Sequence, residues 1–246
     1  MRSAQSVFLS IALLALSLSS AQAAQTFRSG PEATSLVELY TSEGCSSCPP
    51  ADDWLSSLRQ QPGLFKSFIP VAFHVDYWNN LGWTDRFARA LYSDRQRQQA
   101  AQGQTSQVYT PGFIINNHEW RSWFGGARQW QASEEHPGVL EASLSGQQLD
   151  VRFEHGATGQ QLNLAYLGNG LSSKVQSGEN SGRTLQHDFV VLDWQQFASP
   201  PAEAGHWQLT LPPVPQLGQQ QTALVMWVSP ANSLKAIQAT GGYLQE

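Results

Sequence analysis

The chain contains two cysteines, Cys45 and Cys48, set two residues apart in the stretch LVELYTSEGCSSCPPADDWL (36–55). Three kinds of chemistry suit such a pair: cycling between dithiol and disulfide, supplying two soft ligands to a metal, or closing a small structural staple. A bridge across so short a loop removes little entropy from the unfolded chain, so stability alone is a weak reason for it. A copper or zinc site would need further ligands, with a histidine such as His74 to complete it. The sequence holds neither a second Cys-x-x-Cys nor a His-x-x-x-His. Redox exchange therefore leads, and the other two readings stay open.

The thiolate is the reactive form of cysteine, so the pair's position in the fold matters. SLVELYTS (35–42) reads as a buried strand. From Pro49 to Gln60 the apolar residues Trp54, Leu55 and Leu58 follow helical spacing up to a Gln-Pro-Gly stop. Cys45 is thus expected just before or at a helix N-terminus, where free backbone N–H groups and the helix dipole favour a thiolate. Pro49 and Pro50 suit a first helical turn. Neither serine of the motif has a base that would make it a nucleophile. Further strands are expected at FIPVAFHVDYW (68–78) and TPGFIIN (110–116), the latter turning at Asn116-Asn117 into a hairpin with EWRSWFG. A helix is expected over 85–102, with Phe87, Ala88, Leu91 and Tyr92 on one face, and a short one over 127–136. Beyond residue 140 the helical period gives way to short alternating runs such as Leu162/Leu164/Tyr166 and Val151/Phe153, the pattern of an antiparallel sandwich.

The order β, Cys-x-x-Cys helix, β, α, Pro-strand, β, α resembles the thioredoxin superfamily. In those proteins a cis-proline opens a strand beside the redox pair, and Pro111 preceded by Thr110 matches that position. More narrowly, VELYTSEGCSSCPPADDWL, VAFHVDYWNNLGWTD, VYTPGFIIN and GENSGRTLQHDFVV resemble domain of unknown function 1223, an exported bacterial family with a thioredoxin-like domain. The likeness spans nearly all of the chain after the leader. It implies an α/β thioredoxin-like domain followed by a mainly antiparallel, sandwich-like β region, and it implies no assigned activity.

Such sites commonly keep a buried acid on the strand six residues before the first cysteine. Here Glu38 stands seven before Cys45 and Leu39 takes the sixth place, so strand alternation points Glu38 to the other face. His74 and Asp76, two apart on one strand, are alternative proton carriers. Trp78 and Trp83 are candidates for a groove. GENSGRTLQHD, with Gly178, Gly182 and Arg183, reads as a structured turn. The expected site is Cys45, Cys48 and Pro111 as catalytic residues, with Thr110, His74, Asp76 and Glu38 in support, and with no metal and no cofactor.

Only 13% of the 246 residues are charged, the net charge is −5, and no basic run occurs, which argues against nucleic-acid or anionic-membrane binding. Residues 1–23 read as a secretory signal peptide, with an apolar run from Val7 to Leu18 too short to span a bilayer and an Ala21-Gln22-Ala23 cleavage signature. The expected divisions are therefore 1–23 signal peptide, 24–139 thioredoxin-like domain and 140–246 β-rich domain. The expected location is periplasmic or secreted. The expected function is thiol–disulfide exchange with protein or small thiol and disulfide partners. A copper-carrying or protein-binding module without turnover is the alternative.

Overall fold

The computed structural model describes residues 24–245, so the leader assigned to residues 1–23 lies outside the described residues. After a short first strand, β1 (Gln25–Arg28), the run read as a buried strand forms β2 (Ser35–Thr41), with every residue buried. Pro49 and Pro50 open α1 (Pro49–Ser57), whose Ala51, Trp54 and Leu55 turn inward, and a 3-10 turn carries the chain through Gln60. β3 (Phe68–His74) returns parallel to β2, in a β–α–β crossover.

The next helix, α2 (Ala90–Ala101), starts five residues later than its apolar pattern suggests. Asp85 is engaged by the Phe87 amide and by His74, and Arg89 is extended, so Phe87 is buried ahead of the helix and Leu91 is left half exposed. The face that α2 buries is Tyr92, Ser93, Arg95, Gln96 and Gln99, polar except for the tyrosine ring. Arg95 pairs with Glu38 and Tyr40 of β2 and lies 4.5 Å from the centre of the Phe73 ring. A buried ion pair docks this helix, which a reading of apolar spacing does not detect.

The hairpin β4 (Gly112–Ile115) to β5 (His118–Glu119) turns on Asn116 and Asn117, both with positive φ, as a tight two-residue hairpin requires. The expected helix over 127–136 does not form. That stretch runs without regular structure, and Trp130 packs edge-on against Trp54 and Phe68. The remaining strands are β6 (Leu140–Ser145), β7 (Gln148–Phe153), β8 (Gln160–Asn169), β9 (Leu171–Lys174), β10 (Thr184–His187), β11 (Val190–Ala198), β12 (His206–Thr210), β13 (Gln221–Pro230) and β14 (Gln238–Tyr243).

The expected α/β thioredoxin-like fold with a separate β region is not what the chain adopts. Among the described residues there are two short α-helices, and most strands pair antiparallel in sheets of mixed origin. The largest sheet has eight strands in the order β14-β13-β8-β11-β3-β2-β4-β5 and so takes strands from both sides of residue 140. The link is β11, parallel to β3 at Val190–Ala72 and antiparallel to β8. Alternation along a strand reports which faces are buried, and it cannot report which strand covers an edge. That is why the sequence pattern suggested separate units.

A four-stranded sheet, β1-β6-β7-β12, covers one face of the large sheet, and a separate pair, β9-β10, stands apart. β8 and β13 are buried on both faces. Leu162, Leu164, Tyr166, Leu224, Met226 and Val228 meet the small sheet's Phe27, Val151, Phe153 and Trp207, while Ala165, Leu167, Val225 and Trp227 join the core around α1. A shared sheet predicts shared unfolding. Leu164→Ala is expected to cost about 2–5 kcal/mol, and tryptophan fluorescence and far-ultraviolet circular dichroism should give one coincident urea transition. Two separated transitions would show that the halves fold independently.

Candidate functional site

Cys45 and Cys48 form a disulfide, with Cα atoms 5.4 Å apart. Cys48 is the N-cap of α1, and its carbonyl accepts from the Ala51 and Asp52 amides at 2.8 and 3.1 Å. Cys45 precedes the helix in a turn, its amide bonded to the Ser42 carbonyl and its carbonyl to the Cys48 amide. The bridge therefore sits at the positive end of a nine-residue helix, where a released thiolate is stabilised. Both cysteines are fully buried, while Ser46 and Ser47 between them are exposed.

Trp78 connects this turn to the proline. Its Cβ lies so close to Gly44 that a Cβ there would meet it at 3.0 Å, and its indole N–H donates to Thr110 Oγ1 at 2.8 Å. Thr110–Pro111 is a cis peptide bond, and Pro111 is buried at the start of β4. Three of the expected supporting residues serve other partners. Glu38 lies on the face of β2 opposite α1, held by Arg95 and Gln99 of α2. Asp76 accepts from Ser93 Oγ on α2. His74 is fully buried, and its Nδ1–H donates to Asp85 Oδ2 at 2.7 Å instead of facing Asp76.

The acid one helical turn beyond the disulfide is Asp52, its amide bonded to the Cys48 carbonyl, and sequence reasoning passed it over. It is buried and accepts from Thr41 Oγ1 at 3.0 Å. Burial pushes its carboxyl up to about 7, so it exchanges a proton near neutrality. A cavity of about 110 Å³ lined by Pro49, Asp52, Asp53, Arg183 and His187 opens beside it. Helical spacing from Cys48 was the signal for Asp52, since residues four apart share a face.

A buried polar cluster supports the turn from behind. Glu43 lies 3.2 Å from His187 Nε2 and accepts from the Trp83 indole at 2.7 Å, while its amide donates to Asp85 Oδ2. The rings of His74 and His187 meet edge to face, 5.0 Å apart. Burial pushes the Glu43 carboxyl up, but His187 and Trp83 outweigh it and hold the group below the usual range. Asp85 behaves alike, since His74 and the Glu43 and Phe87 amides outweigh its burial. Asn180 donates its side-chain amide to the carbonyls of Glu43 and Cys45 at 2.9 and 3.0 Å. No spacing in the sequence links Glu43, Asp85, Asn180 and His187, which only the fold brings together. Among the described residues, no group of three or more His, Cys, Asp or Glu side chains is placed to hold a metal ion.

Two substitutions separate these acids. The folded protein holds the Asp52 proton more tightly than the unfolded chain does, so raising the pH from about 4 to about 7 costs stability on the order of 3 kcal/mol. Asp52→Asn should remove that loss, making the variant the more stable at pH 8 and near parity at pH 4, as read by urea titration at each pH. Glu38→Ala instead leaves Arg95 charged and unpaired in the core and should cost about 3–5 kcal/mol at either pH in the same titration.

No curated protein matches the chain. Two solved structures share its fold. The crystal structure of protein AGR_C_4864 from Agrobacterium tumefaciens is similar at a TM-score of 0.60 and 23% identity, covering 85% of this chain and 94% of that one. HBP35 of Porphyromonas gingivalis is similar at a TM-score of 0.52 and 14% identity, covering 87% of this chain and 76% of that one. The profile of the family described as "Protein of unknown function (DUF1223)" matches residues 36–229, a span running from β2 through both halves of the large sheet to β13, and the chain belongs to that family.

Proposed function

We propose that Cys45 and Cys48 form a thiol–disulfide exchange centre. The observation that carries this reading is the placement of the bridge at the N-cap of α1, with Asp52, an acid titrating near neutrality, one turn further along. A partner thiolate attacks Cys45 Sγ, the Cys45–Cys48 bond breaks, and Cys48 leaves as a thiolate stabilised by the helix end. Protonated Asp52 is the nearby acid that can return a proton to it. A second partner thiolate then attacks the partner's sulfur in the mixed disulfide. Cys45 is released reduced and the partner dithiol leaves as a disulfide, so two electrons pass to the pair. The same steps in reverse reduce a partner disulfide and reoxidise the pair.

The partners on this reading are thiols and disulfides, carried on proteins or on small molecules. An oxidising, exported compartment is where a structural or catalytic disulfide persists, in keeping with the leader-like start of the sequence. The copper-carrying alternative would need a ligand group around the pair, and none of three or more His, Cys, Asp or Glu side chains is placed for it among the described residues.

Titrating the folded protein against dithiothreitol or glutathione, then alkylating and weighing it, tests the reading. The expected result is a reversible two-electron transition that adds two alkyl groups, with Cys45 alkylated before Cys48. Cys48→Ser, whose Cys45 can still attack a partner disulfide, should accumulate mixed disulfides through Cys45, because the internal thiol that resolves them is gone. A pair that stays oxidised at strongly reducing poise while the protein remains folded would overturn it.

A further inference from the structure

A disulfide exchanges only when a thiolate can approach a sulfur along the S–S axis, yet both cysteines are fully buried. The arm formed by β9 and β10, a two-stranded sheet of its own, sends its connecting loop, residues 175–183, to the Cys45 turn, where the Asn180 side chain donates to the Cys45 carbonyl. We infer that this loop is a strap gating access to the Cys45–Cys48 disulfide, with Asn180 as its latch. The inference rests on the exchange function proposed above and adds its control.

The arm's feet are fixed. Arg86 donates to Ser173 Oγ and to the carbonyls of Ser172 and Leu217, and His187 lies against Glu43. The loop between the feet is held differently. From Gln176 to Thr184 its one buried residue is Asn180 (1% exposed), and over that stretch it brings no apolar side chain to any core, the buried Val175 standing at its foot. Its attachments to the rest of the chain are polar. The Asn180 side-chain amide donates to the Glu43 and Cys45 carbonyls, the Glu179 carboxylate accepts from the Ser46 amide at 3.0 Å, and Ser177 Oγ donates to the Gly82 carbonyl.

Glycines allow the close seating. Gly178, at φ 75°, lies so near Gly82 that a Cβ on Gly82 would meet its Cα at 3.3 Å. Beyond the buried Val175 the loop keeps its shape through hydrogen bonds of its own, since the Val175 backbone pairs with Arg183 and Gly182, and Arg183 donates to Asn180 Oδ1. Lifting it exchanges a few hydrogen bonds for water, each worth roughly 0.5–1.5 kcal/mol net, and leaves the core intact. The carbonyls that Asn180 releases flank Cys45. An incoming polypeptide can satisfy them with its own N–H groups, so a protein thiol is the partner class best suited to displace the strap.

A gate changes rates in both directions and leaves the equilibrium alone. Asn180→Ala in the full chain should therefore be reduced by dithiothreitol, and reoxidised by oxidised glutathione, each about tenfold faster than wild type, the equivalent of about 1.4 kcal/mol. The redox midpoint should be unchanged. Should that variant fail to fold, Glu179→Gln with Ser177→Ala removes the outer attachments and should give about a threefold increase in both directions. Equal rates in variant and wild type overturn the gate. A faster rate in one direction with a shifted midpoint also overturns it, because Asn180 would then set the potential and not access. If neither protein is reduced while folded, the exchange function itself falls.

Discussion

The joint between β3 and β11 is the constraint on which the rest of the site depends. β3 lies in the middle of the large sheet, buried on both faces, and its edge away from β2 needs a partner. β11 supplies it over a short span, with Val190 opposite Ala72 and the Ala72 amide bonded to the Phe189 carbonyl. Phe189 is fully buried at φ 57°, a conformation rare for a bulky residue. It persists because its neighbours hold it: the Asn169 side chain accepts from its amide and its ring packs on Phe65. Asp188 beside it accepts from the Gly170 amide and from Arg59.

From that joint the functional geometry follows. β10 leads into β11 through these two residues, so seating β11 on β3 delivers His187 to Glu43 and His74, behind the Cys45 turn. The same arm carries Asn180 to the carbonyls of Glu43 and Cys45. The sheet partner, the buried charge cluster and the strap are one consequence of one strand pairing. The electrostatics divide accordingly, with Glu43 and Asp85 held ionised by the cluster and Asp52, turned toward the helix and the small cavity, left to titrate near 7.

Elements with strong local signals were legible in advance. The β2 strand, the α1 start at Pro49 and the Asn116–Asn117 turn follow from alternation, proline tolerance at a first turn and left-handed asparagines. α2 was misplaced because its docking face is an arginine, two glutamines and a serine around one tyrosine, and its anchor is the pair Arg95–Glu38. The stretch around Trp130 was misread as helix because a tryptophan seated on Trp54 and Phe68 fixes the chain without regular hydrogen bonding.

By itself the sequence determined the chemistry of the candidate centre: two thiols at Cys-x-x-Cys spacing, ahead of a helix, with a proline-led strand downstream. Those are properties of nearby residues, and local geometry carries them. Tertiary structure alone decided that Asp52 is buried against Thr41, which strand closes the sheet, and that Asn180, 135 residues away in sequence, bonds to the Cys45 carbonyl. The physical reason is that burial and hydrogen bonding depend on partners, and a pattern of apolar spacing says that a surface is covered without saying by what.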